Sequence, residues 1–558
     1  MYATSKSGRN VISKYKPADM FTQCVGYQMA RPGSYRRELK IPHPYSFAQL
    51  AGLTAKHFAR LLTKAGTSKF SKSRPVYATG RRRALSPMFS LANLARERAA
   101  CRARATFLLK ADISHFYPSL YTHAVGWAID PKLRDKANWS NHKLLGKRLD
   151  QALMNLDGKI SQGIPIGNDI SFLLAEIVLA QIDKAMGLAP ERAYRWYDDY
   201  EIAFDSRSQA EAGLKRLTAA LRQFQLRLNP HKTVIAELPL PAQEEWQEPL
   251  IQAGTNSFSK AVDMVKYFDV AFRLRQKFPD SAILSYALGI LFRLECPTPK
   301  VGRIAQSCIT QSLLCEAGTA QKAFALLSYW HLNGFSLNTG LIASTVNQMI
   351  AQHLAGGVSS DIAWALAFCL DKDLPLSKSA AQSLSVFDDD FIALQSLHLH
   401  TKGLLPHGFS TAKIQKMIKG ADLDREHWLI AYEALRQGFL NDSKNAIKNN
   451  PLFSALLTGK VTFYRTKLPS YAALIHPGGA PDWLVSSWMD LSRKANRKGK
   501  RSKAKSSLAP VPRLISGDLA RLNRAQASHD DAVTDLMDIF EPDASDRWAL
   551  LEVGARSG

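Results

Sequence analysis

Trp196-Tyr197-Asp198-Asp199-Tyr200 sets two adjacent carboxylates between short runs of strand-forming residues, Ala193-Tyr194-Arg195-Trp196-Tyr197 before and Tyr200-Glu201-Ile202-Ala203-Phe204 after. Side chains alternate faces along a strand, so an acidic pair at a hairpin tip stands clear of the sheet. By itself such a tip reads first as a solvated Asp-Asp turn. A third carboxylate changes that reading, because three convergent anions repel one another and are most simply explained by a divalent cation.

The surroundings of the hairpin predict an α+β fold. Thr106 to Lys110 is a short apolar strand ending near Asp112, and Ser161-Gln162-Gly163-Ile164-Pro165-Ile166-Gly167 is a Gly/Pro-punctuated loop feeding a helix from 168 to 186. After the hairpin, a helix over about 207 to 225 leads to Leu226-Arg227-Leu228-Asn229-Pro230-His231-Lys232-Thr233. Alternating β and α segments of this kind suggest a sheet backed by helices.

Upstream, Ile41-Pro42-His43-Pro44-Tyr45 fixes an extended entry to a helical stretch carrying Phe47, Leu50, Leu53, Phe58, Leu61 and Leu62. Lys69-Phe70-Ser71-Lys72-Ser73-Arg74 and Gly80-Arg81-Arg82-Arg83 follow. Glycine beside three arginines suits a loop that approaches phosphate, and equally a solvated basic turn. From about 245 to 480 strand signals nearly vanish, and helical blocks such as Ala282 to Leu294, Gln321 to Trp330, Asp361 to Leu370 and His427 to Leu440 predict a solenoid or irregular bundle. The tail differs again: Arg493 to Lys505 holds eight basic residues and no acid, then Asp530 to Asp546 holds seven acids. Its basic half suits a solubilising linker or a nucleic-acid tether.

Charge points to a polyanion. Net charge is +25 over 558 residues, and residues 1 to 110 contribute 22 Lys or Arg against Asp19, Glu38 and Glu97, or 22 − 3 = +19. Clustered positive charge favours nucleic acid through counterion release. No apolar run reaches membrane-spanning length, and the longest candidate, Ser171 to Ile182, is broken by Glu176, so a cytoplasmic protein without membrane contact is expected. The six cysteines (Cys24, Cys101, Cys296, Cys308, Cys315, Cys369) form no CxxC pair and read as buried free thiols. His398 and His400 form an HxH pair without the third or fourth ligand that zinc requires.

Asp112-Ile113-Ser114-His115-Phe116-Tyr117-Pro118-Ser119-Leu120 resembles the first catalytic motif of reverse transcriptases. Gln162-Gly163-Ile164-Pro165-Ile166-Gly167 resembles their Gln-Gly-x-Pro-x-Gly loop, the Tyr-Asp-Asp hairpin their second carboxylate motif, and Asn229 to Thr233 the lysine-bearing element after it. Four motifs in order over about 120 residues are far more specific than any one alone.

The resemblance implies a right-hand polymerase with a basic fingers region (1–105) and a palm (106–244), then an all-α thumb-like and helical-repeat region (245–490) and the charged tail (491–558). Nucleotidyl transfer needs a 3′-hydroxyl deprotonated and a pyrophosphate released, and two metals roughly 4 Å apart stabilise both oxygens. On that pattern Asp112 and Asp198 bridge two Mg²⁺ ions, with Mn²⁺ as the alternative. Asp199 assists one ion, and the Ile113 carbonyl adds a hard oxygen ligand. Lys232 neutralises or protonates the leaving pyrophosphate. Tyr117 crowds a ribose 2′-hydroxyl and so selects dNTPs. Gln162 and Gly163 shape the nucleotide pocket, and Arg81, Arg82 and Arg83 contact triphosphate or template. One departure stands out, since most of the family has Tyr or Phe where this chain has Trp196. An indole still supplies a flat apolar wall for a primer.

Within that family, Asp112 to Trp127, with Tyr117-Pro118-Ser119-Leu120-Tyr121-Thr122-His123, is similar to bacterial defence-associated enzymes of the abortive-infection type, whose C-terminal parts are helical repeats. The stretches Ser360 to Leu366 and His427 to Glu433 are similar to that group too, though each is also an ordinary amphipathic helix. The resemblance implies antiviral DNA synthesis, RNA-directed or template-independent, with RNA or DNA and dNTPs as partners and a homo-oligomer as the expected assembly. Priming from a protein hydroxyl is a further option, and Tyr464 and Tyr471 are hydroxyls in the helical region. The alternatives are a retron-like or group II intron-like enzyme copying a dedicated RNA, and a catalytically silent RNA-binding scaffold.

Overall fold

The first described strands form an antiparallel hairpin, β1 (Val25–Ala30) and β2 (Arg36–Ile41), paired from Val25 with Ile41 to Ala30 with Arg36. The computed structural model describes residues 11–466 except 13, 18–20, 34–35, 78–83, 90–93, 190–191, 256–257, 355–358, 407, 420–422 and 442–445. Arg81, Arg82, Arg83, Tyr471 and the charged tail therefore lie outside the described residues. Tyr27, Met29 and Leu39 of the hairpin pack into the core of the downstream helices, while Val25 and Ile41 join Trp428, Tyr432 and Phe453.

His43 accepts the Tyr45 N–H, and Pro44 opens the helix Pro44–Lys56, where its missing donor is harmless. The helical stretch expected through Leu62 is two helices. His57 (φ −115°) breaks it, and Phe58–Ala65 follows. A short hairpin of β3 (Pro75–Tyr77) and β4 (Leu85–Pro87) comes next.

The acidic hairpin and the strand before it build one four-stranded sheet, from β5 (Phe107–Asp112), β6 (Ala193–Trp196), β7 (Asp199–Phe204) and β8 (Val234–Glu237). Its order is β6-β7-β5-β8, with every pair antiparallel. On one face Leu109, Ala111, Tyr200 and Ile202 meet residues of the helices Thr122–Ile129, Asp169–Met186 and Arg207–Arg222. On the other, Leu108, Tyr194, Trp196 and Ala203 meet the helix Leu94–Arg102. Both faces are covered, so the strands β5, β6 and β7 carry apolar residues on both faces rather than alternating, with Arg195 and Glu201 as paired charges among them. Each fully buried Leu or Ile here contributes about 1.5–3 kcal/mol.

After β8 the described residues contain no strand. The helices run from Gln247–Gly254 to Pro451–Thr458, and each predicted block falls on one of them: Ile283–Ile290, Ala320–Leu332, Ser359–Lys372 and Trp428–Arg436. Alternate helices stack on one another. Ser359–Lys372 touches Ala320–Leu332 and Asp390–Thr401, while Thr339–Leu354 touches Pro299–Cys315 and Lys378–Ser385. Two rows of helices result, in the manner of a solenoid. Trp330, Phe324 and Phe368 lie in the core they share.

The six cysteines are free, but of these Cys101 and Cys369 alone are buried; Cys24 and Cys308 are partly buried, and Cys296, in the connection before the helix Pro299–Cys315, and Cys315, the last residue of that helix, are exposed. His398 is an internal residue, its Nδ1 3.0 Å from the Tyr464 hydroxyl and its ring stacked on Phe439, and burial pushes its pKa down to about 4. That ring belongs to the core.

Candidate active site

β5 ends at Asp112, which pairs directly with Asp199, the first residue of β7. Paired residues on antiparallel strands share a face, so both carboxylates leave the sheet on the side of Leu108 and Lys110. The Ile113 N–H donates to the Asp198 carbonyl at 3.3 Å. In extended backbone the N–H and C=O of one residue point to the same edge, which turns the Ile113 carbonyl toward the hairpin.

Two backbone bonds hold the far side: Asn229 N–H to the Asp112 carbonyl (2.8 Å) and Ser114 N–H to the Arg227 carbonyl (2.9 Å). Asn229 then organises the turn that carries the lysine. Its side chain accepts the His231 N–H, and its carbonyl accepts the Lys232 N–H and the Thr233 hydroxyl. From this turn Lys232 Nζ reaches Asp112 Oδ2 at 3.0 Å, joining an exposed lysine to a buried carboxylate. Asp112, Asp198, Asp199, Ile113 and Lys232 thus come together at one end of the sheet.

Tyr117 and the glutamine loop meet one another beside that end. Tyr117 lies in the one-turn helix Phe116–Ser119, entered through His115 in a left-handed conformation (φ 45°). Its ring is partly buried and edge-on to Phe116. The loop is stapled to this turn by Gly163 N–H to Leu120 C=O (2.9 Å), Ile164 N–H to Tyr117 C=O (3.1 Å) and a bridge between Tyr121 and Gln162. Glycine is required at 163, because its φ is +89° and an added Cβ would stand 3.1 Å from the Pro118 carbonyl oxygen. Asn168 closes the loop by capping the helix Asp169–Met186 through Ser171 N–H and bonding back to the Pro165 carbonyl.

Beneath the hairpin lies a buried polar network, centred on Arg195, that no motif of the sequence marks. Arg195 is fully buried and uses all five guanidinium donors. Nε and Nη2 reach Asp183, Nη1 and Nη2 reach Glu176, and Nη1 also reaches the Tyr197 carbonyl at 2.8 Å. Tyr200 donates its hydroxyl to Asp183 (2.9 Å), and Ser71 and Ser73 donate theirs to Glu176. Burial pushes the Asp183 carboxyl above the ordinary carboxylate range against the pull of Arg195, and burial likewise raises the Tyr200 hydroxyl. A signal for this network existed in the sequence. Glu176 and Asp183 interrupt an apolar helix seven residues apart, on one face, and Arg195 interrupts an apolar strand. The opposite sheet face has its own pairing, with Glu201 bound by Arg98 and Arg102.

The position of Trp196 corrects an expectation. Its indole is 4% exposed and packs with Leu94, Tyr194, Leu108 and Ala203, so it presents no wall to a primer. β6 turns Tyr194 and Trp196 together toward the helix Leu94–Arg102, and Trp196 anchors the hairpin from inside. The Tyr197 ring, partly exposed, lies edge-on to it and near Phe172.

Among the described residues, no three His, Cys, Asp or Glu side chains close on a single point in the manner of a finished metal cage. The donor chemistry nevertheless fits a hard divalent cation. Two carboxylates leave opposed positions on one face, a third is adjacent, a backbone carbonyl turns to the same edge, and the Lys232 ammonium already supplies positive charge to Asp112.

No family model and no curated protein matches this chain. Solved structures of telomerase are similar at low identity. Apo telomerase from Candida tropicalis truncated from its C-terminal domain is 15% identical over 42% of this chain and 55% of that one, with a TM-score of 0.27. Apo telomerase from the same organism is 11% identical over 68% and 71%, TM-score 0.29. Telomerase from Candida albicans in complex with a TWJ fragment of telomeric RNA is 12% identical over 74% and 68%, TM-score 0.27. The chain thus spans about half the length of the first of these. At such scores the chemistry rests on this chain's own residues.

Proposed function

We propose that the chain is a nucleotidyltransferase of the reverse-transcriptase type, a DNA polymerase that is RNA-directed or template-independent. The observation that carries this reading is the direct opposition of Asp112 and Asp199, with Asp198 beside them and Lys232 Nζ on Asp112. Bound at this end of the sheet, Mg²⁺ (two ions, with Mn²⁺ as the alternative) would supply Lewis-acid stabilisation of the attacking and leaving oxygens. Asp112, Asp198, Asp199 and the Ile113 carbonyl are the groups to hold it. Lys232 would neutralise the leaving pyrophosphate or give it a proton, a role supported by an exposed ammonium able to swing from Asp112 to a phosphate. Tyr117, tied to the Gln162–Ile164 loop, walls the sugar side of a nucleotide resting on Gln162 and Gly163.

The finer reading, DNA synthesis in bacterial antiphage defence, is supported by the Tyr117 to His123 run and by the two rows of helices after β8. Sequencing the DNA that the purified protein makes from dNTPs, with and without added RNA, tests the function. DNA that appears in an Mg²⁺-dependent manner supports the polymerase. A defined cDNA of one folded RNA would move the reading to a retron-like or intron-like enzyme, and RNA retention without any DNA would leave a silent scaffold. Loss of phage protection in cells carrying Asp198→Ala tests the defence role.

A further inference from the structure

Tyr197, the residue immediately before Asp198, has a left-handed backbone (φ 52°), a conformation that disfavours a tyrosine unless its surroundings hold it. Both of its backbone polar groups are held. Its N–H donates to Ser73 Oγ at 2.8 Å, and its carbonyl accepts from Arg195 Nη1, also at 2.8 Å.

The two holding groups meet on one carboxylate. Ser73 Oγ donates to Glu176 Oε1 (2.7 Å), and Arg195 Nη1 donates to the same oxygen (3.0 Å). Ser73, Glu176 and Arg195 are buried, so water does not compete for these bonds. The segment that carries Ser73 is itself paired with the hairpin. Arg195 N–H donates to the Phe70 carbonyl (3.2 Å), and Lys72 N–H donates to the Arg195 carbonyl (2.8 Å).

We propose that Ser73, Glu176 and Arg195 form a positioning clamp, which fixes the left-handed Tyr197 and through it sets the direction of the Asp198 and Asp199 carboxylates. None of the three reaches the end of the sheet where the carboxylates stand, so the clamp acts through the turn and not on a substrate. It also ties the acidic pair to the segment Lys69 to Arg74, which belongs to the most basic part of the chain. The clamp rests on the polymerase reading for its catalytic meaning, but its hold on the turn is a property of the fold alone.

Ser73→Ala is the sparing variant, because it removes the acceptor of the Tyr197 N–H and one donor to Glu176 and leaves the Arg195 ion pairs in place. Two measurements on the full chain decide the matter. In dNTP incorporation, Ser73→Ala should lower kcat roughly 10- to 100-fold, the scale of a misplacement of up to about 1 Å, with KM for dNTP within about twofold of the parent. In hydrogen exchange, the amides of residues 197 to 200 should exchange faster while the rest of the sheet keeps its protection. An unchanged kcat in an active protein overturns the proposal. So does a loss of activity that merely follows a fall in melting temperature, with exchange raised throughout the sheet. If the parent itself incorporates no nucleotide, the polymerase reading fails, and exchange alone judges the clamp: faster exchange confined to the turn supports it, and unchanged exchange overturns it.

Discussion

Asp112 and Asp199 face each other across β5 and β7 and send both carboxylates off the same side of the sheet. Two anions opposed in this way destabilise a sheet unless positive charge meets them. Lys232 meets one of them from the turn before β8. The arrangement makes sense as a place where cations collect, and Tyr117 and the Gln162 loop, proposed above to face a nucleotide, are bonded to one another beside it.

Tyr117 tests the sugar side of that place. Replacing its partly buried ring by alanine opens room next to the loop, and discrimination against ribonucleotides should fall by about tenfold or more. Competition between dNTPs and rNTPs measures this. Equal discrimination in both proteins removes Tyr117 as the gate.

Gly163 tests the loop. An alanine there must adopt φ +89° against the Pro118 carbonyl, a strain of about 1–3 kcal/mol. Gly163→Ala should raise KM for dNTP while leaving the melting of the helical region unchanged. A normal KM would show that the loop shapes no nucleotide pocket.

Glu176 carries the buried charge balance. Removing it leaves Arg195 with Asp183 alone, and Glu176→Ala should lose about 3–5 kcal/mol of stability in urea unfolding. Glu245, paired with Lys277 in the open, is the control and should change stability by less than about 1 kcal/mol. Comparable losses in the two variants would mean that the buried network is not what holds the hairpin.

His427 gives a pH signature. A hydrogen bond to Asp390 (2.7 Å) raises its pKa above the usual 6.5, against the opposing effect of burial. The folded state therefore binds the proton more tightly than the unfolded one. The stabilisation is fully present below about pH 6.5 and is lost as pH rises through the raised value. His427→Asn, which tolerates the left-handed backbone at that position (φ 63°), should destabilise more at about pH 5.5 than at about pH 9. A loss independent of pH contradicts this assignment.

The central strands and the long helix Asp169–Met186 were legible because local chemistry determines them. An apolar run ends at Asp112, Gly and Pro punctuate the loop, and β-type residues flank the acidic pair. Hidden from the sequence were the features that need a distant partner. β1 and β2 pack against helices more than 300 residues away. Trp196 points inward because the sheet is covered on both faces, and an apolar strand does not announce which of its faces is wet. Arg195 inside an apolar strand signals a buried charge, but its partners Glu176, Asp183 and Ser73 are legible only once the fold places them around it.

The most direct measurement is Mg²⁺-dependent incorporation of dNTPs by the purified chain and by Asp198→Ala, with circular dichroism and melting confirming that both are folded. The parent should make DNA, and the variant should make none above background. Equal incorporation by the folded variant would contradict the account, because the chemistry would then lie away from the acidic hairpin.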